Sequence, residues 1–334
     1  MDAIRQEIER RIELRRKLAI DPVKQELCRE KCRRDILYWF DNFAFTDRNS
    51  TFFSMDLPQK VPMILFPYQR EYILDVWDAI QQGSMPMAQR RRENGVVVPT
   101  SIFSEKSRQM GFSWLLAQVQ VYAYIFHNMK SLYLNRNADE VDYGVDVGAH
   151  FGKARFTMDC LPWWMIPKGY EKKAGSTHNK NMAITRADGT GAIIGKTATQ
   201  SAGRGGTYNF VIFDEMAFME YAEEIFTSVS STTPCMIFNS TPNGRDNKYY
   251  QMRELAIKGI VRYHQCFWHE NPYYTKEWYD QKTASMTREA IAQELEIDYD
   301  VALEGRVYKE FDSRVYDCPY NPQWVKYISI DNSR

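Results

Sequence analysis

The chain has 334 residues, 44% of them hydrophobic and 26% charged, and its 43 Lys and Arg are balanced by 43 Asp and Glu. That is an ordinary globular composition, long enough for one large core or two domains, and it carries neither internal repeats nor low-complexity tracts. No apolar run approaches the length of a membrane span and the amino terminus lacks the apolar core of a signal peptide, so a membrane role is not expected.

In chain order, residues 1–60 open with a charged helix from Ile4 to Leu18, with Ile4, Ile8 and Ile12 at four-residue spacing. A second helix is expected from Pro22 to Phe43, its aromatic end (Tyr38, Trp39, Phe40, Phe43) packing on a neighbouring core as a small helical subdomain. Cys28 and Cys32 share a helix face, but no second close pair or His cluster completes a zinc site. All six cysteines, Cys28, Cys32, Cys160, Cys235, Cys266 and Cys318, therefore read as reduced thiols.

Residues 61–300 alternate strand and helix, as a mainly parallel sheet covered on both faces requires. Strands are expected at Thr100–Phe103, Ser131–Leu134, Asn209–Phe213, Cys235–Ser240 and Ile260–Phe267. Helices are expected near Phe66–Gln81, Ser113–Phe126, Ala138–Cys160, Asp246–Lys258 and Arg288–Ile297. Alternation from Asn181 to Thr197 around Asp188-Gly189 signals an antiparallel hairpin added at the sheet edge. Residues 301–334 read as a linker followed by the strand Val325–Ile330, which ends in Asp331.

Two segments carry chemistry. Between the first strand and its helix lies Ser104-Glu105-Lys106-Ser107-Arg108-Gln109-Met110-Gly111-Phe112-Ser113. Set against the phosphate-loop pattern G-x-x-x-x-G-K-[ST], Gly111 and Ser113 are in register, while Lys106 stands at the first glycine and Phe112 at the lysine. In this role backbone N–H groups of residues 107–113 cradle phosphates and the Ser113 hydroxyl meets Mg²⁺. Lys106 reaches a phosphate from the other side, since an ammonium is a point charge without bidentate geometry. About a hundred residues on, the buried-type strand Phe210-Val211-Ile212-Phe213 ends in Asp214-Glu215. Asp214 suits the Mg²⁺ shell and Glu215 the attacking water, because phosphoryl transfer needs a positioned nucleophile and charge neutralisation. Arg108 suits the γ-phosphate as an arginine finger in cis. The glycines of Gly203-Arg204-Gly205-Gly206 permit close backbone approach or movement, so Arg204 can reach a phosphate, in cis or in trans; the alternative is a flexible loop with an exposed arginine.

Lys-Ser-Arg-Gln-Met-Gly-Phe-Ser, then Ile-Phe-Asp-Glu, then Ser240-Thr241-Pro242-Asn243-Gly244 resemble, in order and spacing, the ATPase domain of the large terminase subunit of tailed bacteriophages. That family is the motor that packages DNA into procapsids. The resemblance spans roughly residues 36–310. It implies a phosphate-loop NTPase of the RecA-like (ASCE) class, binding ATP and Mg²⁺, with Tyr68 and Gln69 in the adenine-recognising element Phe66-Pro67-Tyr68-Gln69. It also implies that Arg204 serves the phosphates and that Ser240, Thr241 and Asn243 couple hydrolysis to movement. The implied partners are double-stranded DNA, the portal protein of the procapsid, the small terminase subunit and other copies in a homo-oligomeric, pentameric ring, in the host cell cytoplasm. A net charge of zero lacks the basic excess typical of DNA-binding domains. A ring can gather modest patches such as Arg90-Arg91-Arg92, whose alternative is a solvated loop.

The resemblance further places Asp331 at the first metal ligand of an RNase-H-like nuclease. One such carboxylate cannot hold two ions about 4 Å apart, so residues 1–334 are expected to hydrolyse ATP without cutting DNA. Two other readings compete: a helicase-type translocase, for which too few residues follow 244, and a docking scaffold with a degenerate nucleotide site.

Overall fold

The computed structural model describes residues 2–48, 56–170 and 175–301. Asp331, Cys318 and the expected strand Val325–Ile330 lie outside them. An eight-stranded sheet forms the centre, in the order β12-β5-β11-β10-β6-β9-β8-β7. Its strands are β5 (Ile102–Lys106), β6 (Lys130–Asn135), β7 (Asn179–Lys180), β8 (Ala183–Thr185), β9 (Ala192–Thr197), β10 (Phe210–Asp214), β11 (Met236–Ser240) and β12 (Arg262–Cys266). The run from β12 to β9 is parallel throughout; β8 and β7 add antiparallel at one end. The expected mainly parallel α/β class is therefore the observed one.

Alternation along each strand explains the layers. Phe210 and Ile212 of β10 join one hydrophobic cluster, Val211 and Phe213 the other, and all are buried. The first cluster holds α2 (Pro22–Arg34), α3 (Ile36–Phe43), α4 (Pro67–Ser84), α5 (Phe112–His127) and α7 (His150–Cys160). The second holds α8 (Ala222–Ser230) and α9 (Lys248–Ile257). The aromatic end of α3 packs into the first cluster, with Trp39 5.6 Å from the ring of Tyr122 on α5. Opening helix α1 (Asp2–Ala19) lies against the short antiparallel pair β1 (Phe45–Asp47) and β2 (Lys60–Pro62).

Besides β5, which runs on to Lys106, four elements differ from expectation. The helix over 22–43 is two helices, because Asp35 is extended (φ −132°) and its carboxylate accepts the Tyr38 N–H, ending α2 and starting α3. The helix over 138–160 breaks into α6 (Ala138–Val141) and α7. Between them Asp142 and Asp146 accept the N–H groups of Gly144 and Gly148 in tight turns, and a Cβ on Gly152 would stand 1.8 Å from the Asp146 carbonyl oxygen. In the expected hairpin only β8 is an antiparallel addition; β9 pairs parallel with β6 as a full member of the sheet. The helix over 288–297 is α11 (Arg288–Ile291) followed by one π-helical turn, Ala292–Glu296. The ribbon β3 (Arg92–Glu93) with β4 (Val96–Val97), α8 and α10 (Lys276–Thr283) carried no expectation.

Among the described residues Cys28, Cys32, Cys160, Cys235 and Cys266 form no disulfide, and all are buried. In the basic run, Arg91 is paired with Asp78 at 3.0 Å and Glu93 at 3.2 Å, so that patch is partly neutralised.

Buried Arg155 locks the loop between α6 and α7. Its guanidinium grips Asp142 at 2.6 and 2.8 Å and reaches Asn179 and the Gly144 and Lys180 carbonyls. Asp142→Ala leaves that cation buried without its counter-charge, which costs about 3–5 kcal/mol. Urea unfolding should show this as a lower midpoint at unchanged slope; a shift below about 1 kcal/mol would mean the pair is dispensable.

Candidate active site

Parallel strands deliver their last residues to one end of the sheet, where ligands of such sheets bind. Lys106 is the last residue of β5, a strand residue rather than a loop residue. Ser104, Glu105 and Lys106 continue the pairing, Glu105 opposite Ser240 of β11 and Lys106 opposite Cys266 of β12. The Lys106 Nζ lies 3.7 Å from Glu215 Oε1, with only 7% of the lysine side chain and 31% of the glutamate side chain exposed.

Asp214 ends β10 with both carboxylate oxygens engaged. Tyr133 Oη donates to Oδ2 at 2.7 Å and Asn239 Nδ2 to Oδ1 at 2.5 Å. The next residue, Glu215, turns left-handed (φ 56°, ψ 40°), a conformation that costs a non-glycine residue about 1–2 kcal/mol. The turn swings its carboxylate off the strand axis toward Lys106. Burial pushes the Glu215 carboxyl above its ordinary range, opposed chiefly by the nearby Lys106 ammonium.

The loop after Lys106 divides in two. The Ser107 N–H donates to the Cys266 carbonyl at 2.9 Å and the Arg108 N–H to the Glu294 carbonyl at 2.7 Å. Ser107 Oγ donates to the Leu295 carbonyl at 2.5 Å, and the Arg108 guanidinium pairs with Glu294 at 2.8 Å. The π-helical turn thus braces the start of the loop. From Gln109 onward the carbonyls are held but the N–H groups are not, and Gln109 (φ 63°) and Gly111 (φ 84°) are left-handed. The N–H groups of Gln109, Met110, Gly111, Phe112 and Ser113 meet no carbonyl among the described residues. They stand at the amino terminus of the 16-residue α5. Ser113 is half-buried there, and Phe112 is buried against Tyr72, ring centroids 4.5 Å apart.

Tyr68 and Gln69 hold the loop: Tyr68 Oη and Gln69 Nε2 both donate to the Met110 carbonyl, at 3.0 and 3.2 Å, and Gln69 Oε1 accepts the Phe66 N–H. Ser240 and Asn243 reach the turn that follows Glu215, Ser240 Oγ accepting the Ala217 N–H and Asn243 Nδ2 donating to the Ala217 carbonyl; Thr241 is buried beside them. Arg204 is exposed, and its backbone bonds Ser201 and Lys196. Its neighbour Gly203 packs on α8, and no contact among the described residues joins Arg204 to Lys106, Asp214 or Glu215.

Sequence reasoning missed the residues beneath the site. Glu105, fully buried, accepts from Arg253 at 2.9 Å, Gln265 at 2.9 Å, Tyr299 at 2.7 Å and the Tyr263 hydroxyl. Tyr249 Oη donates to the carbonyls of Ser104 and Ser240 at 2.6 and 3.0 Å. The polar run from Ser104 to Gln109 reads as loop, and only the i, i+2 pair Tyr263 and Gln265 on β12 hinted that a carboxylate lay within the sheet.

No protein-family model and no curated protein matches the chain. Among solved structures it is similar to the large terminase ATPase domain of Thermus phage P74-26, at 17% identity over 71% of this chain and 100% of that one, TM-score 0.44. It is also similar to the large terminase of a thermophilic bacteriophage, at 13% identity over 70% of this chain and 53% of that one, TM-score 0.48. The same phage protein in complex with ADP matches at 11% identity over 69% and 52%, TM-score 0.47.

Gly111 is required twice over, by its left-handed φ and because a Cβ would stand 2.9 Å from Gln69 Nε2. Gly111→Ala should lower stability by about 1–2 kcal/mol from the backbone alone. Combined with Gln69→Ala it should cost less than the sum of the single changes, because the clash is then relieved. Wild-type stability of Gly111→Ala in urea would contradict the loop geometry.

Proposed function

We propose that the chain is the ATPase motor of a phage DNA-packaging terminase, hydrolysing ATP to drive double-stranded DNA into a procapsid. The observation that carries the reading is the juxtaposition of Lys106 and Glu215, 3.7 Å apart, at the sheet end that presents the free N–H groups of residues 109–113. An ammonium, a row of unpaired amides and a helix amino terminus together favour a polyphosphate. In this reading Lys106 and the amides bind the outer phosphates. Glu215, its left-handed turn holding the carboxylate beside Lys106, orients the attacking water.

The residues present fit Mg²⁺. The Ser113 hydroxyl and the Asp214 carboxylate are hard oxygen donors, and a nucleotide-borne Mg²⁺ draws its remaining ligands from phosphates and water. This suits a site where no group of three His, Cys, Asp or Glu residues forms a metal cluster among the described residues. Asp214, oriented by Tyr133 and Asn239, would help hold the ion. Bound Mg²⁺ neutralises charge on the transferred phosphoryl group. Arg108, drawn toward Glu294, supplies charge in cis once released. Exposed Arg204 is assigned to a neighbouring subunit's phosphates, and Ser240, Thr241 and Asn243 to relaying the state of the Glu215 turn. Double-stranded DNA, the portal and the small terminase subunit are the partners this reading implies, met by a ring of copies.

ATP turnover with and without double-stranded DNA and procapsid tests the assignment. Glu215→Gln should lose hydrolysis by a factor on the order of 100 or more while keeping ATP binding. Near-normal turnover would remove Glu215 from the chemistry. Because burial raises the Glu215 pKa and the carboxylate form is the active one, kcat/KM should fall as pH drops through a point above the ordinary value of 4.5. An acid limb at or below that value would contradict the assignment.

Lys106→Ala should weaken nucleotide binding or hydrolysis severely. Phe112→Ala should instead lower stability by about 3–5 kcal/mol, as for a buried aromatic, and leave the affinity of the folded fraction near wild type. The reverse ranking, measured by titration calorimetry and urea unfolding, would shift the phosphate-binding role away from β5.

A further inference from the structure

A slot beside the loop is walled by Ile4, Ile64, Phe66, Met110, Trp114 and Asn271. Gln109 and Gly111 border it too, so the slot and the free amides share one wall. Mostly apolar clefts with a few placed polar groups are the usual shape of a small-molecule site, the polar groups fixing orientation. Gln69 borders the slot as well, and the Tyr68 hydroxyl and Gln69 amide are bonded to Met110 and Phe66.

Asn271 is different. It is 5% exposed, its N–H donates to the Trp268 carbonyl at 3.1 Å and its carbonyl accepts the Tyr274 N–H at 2.9 Å. The side-chain oxygen accepts the Tyr273 N–H at 3.0 Å. Because an N–H can only meet an acceptor, this bond fixes which way the amide faces. Nδ2 is left with its two hydrogens unmatched by any acceptor among the described residues, in the wall of the slot. Nδ2 is not among the fully enclosed unpaired side-chain atoms, so it is open to the slot, where an acceptor on a ligand can meet it.

Resting on the ATP-binding reading, we infer that Asn271 reads the nucleobase: its Nδ2 donates to a ring-nitrogen acceptor on the edge of a purine held in this slot. The flat walls at Phe66 and Trp114 suit a planar ring, with the triphosphate leading out past Gln109 to the amides of the loop. Ile4 makes the amino-terminal helix α1 part of the same pocket.

Titration calorimetry of the whole chain with ATP and with inorganic triphosphate tests this. Two variants serve: Asn271→Asp keeps the oxygen that accepts Tyr273 N–H, and Asn271→Ser removes the amide without adding charge. The expected result is ATP affinity lowered roughly tenfold or more in both variants, with triphosphate affinity unchanged in Asn271→Ser. Wild-type ATP affinity in both variants overturns the inference. So does an equal loss for ATP and triphosphate in Asn271→Ser, which would place the effect in the loop. Wild-type protein that binds triphosphate as tightly as ATP overturns the base slot alone; wild-type protein that binds neither overturns the ATPase reading with it.

Discussion

The Lys106–Glu215 pair is the contact on which the site depends. The Lys106 ammonium is largely withdrawn from water and the Glu215 carboxylate partly so, and each compensates the other. Their separation is set by strand register. Lys106 is placed by the pairing of β5 with β11 and β12, Glu215 by that of β10 with β11, and β11 lies between them as the common ruler. A slip of one residue in either strand would turn the lysine or the carboxylate to the opposite face of the sheet. The left-handed turn at Glu215 then brings its carboxylate across the width of β11. A strained backbone at the one residue whose carboxylate must face Lys106 fits the tendency of such strain to collect at working sites.

Beneath the pair, two buried hubs keep the strand ends from drifting. Glu105 gathers donors from β12, α9 and the segment at Tyr299, so the residue before Lys106 cannot shift without exposing a buried charge. Tyr249 ties the carbonyls of Ser104 and Ser240 together with one hydroxyl, joining β5 to β11 just below the site. From Ser240 the connection passes to Ala217 and so to the turn behind Glu215. A change at the carboxyl end of β5 therefore has a short, hydrogen-bonded route to the β11 end and the Glu215 turn. The π-helical turn at Ala292–Glu296 extends the same support to the loop through Ser107 and Arg108.

Asp214 shows how the surroundings define a role. Its two oxygens are held by neutral donors, Tyr133 and Asn239, and Tyr133 is itself stacked on His150 at 3.5 Å. Burial keeps the tyrosine protonated, reinforced by the adjacent carboxylate, so it remains a donor. Asp214 is thus fixed in orientation, while Glu215 stands partly exposed beside a cation.

Much of this was legible from local pattern. Alternating and continuous apolar runs marked β6, β10, β11 and α5, because a parallel sheet buried on both faces demands them. The glycine of the loop and the paired carboxylates at the end of β10 were visible as residue types in order. What the chain by itself could not reveal was decided by contacts between distant segments. Lys106 became a strand residue because β12, some 160 residues on, pairs with it, and the polar run Ser104-Glu105-Lys106 tolerates burial only because Arg253, Gln265 and Tyr299 arrive to meet Glu105. Gln69 is bonded to the loop because Met110 presents a carbonyl to it, and Asn271 gained its open amide from a turn made by Tyr273. Propensity and periodicity act over a few residues and set the elements; hydrogen-bond partners tens to hundreds of residues apart decide which polar side chains are occupied and which remain available to a ligand.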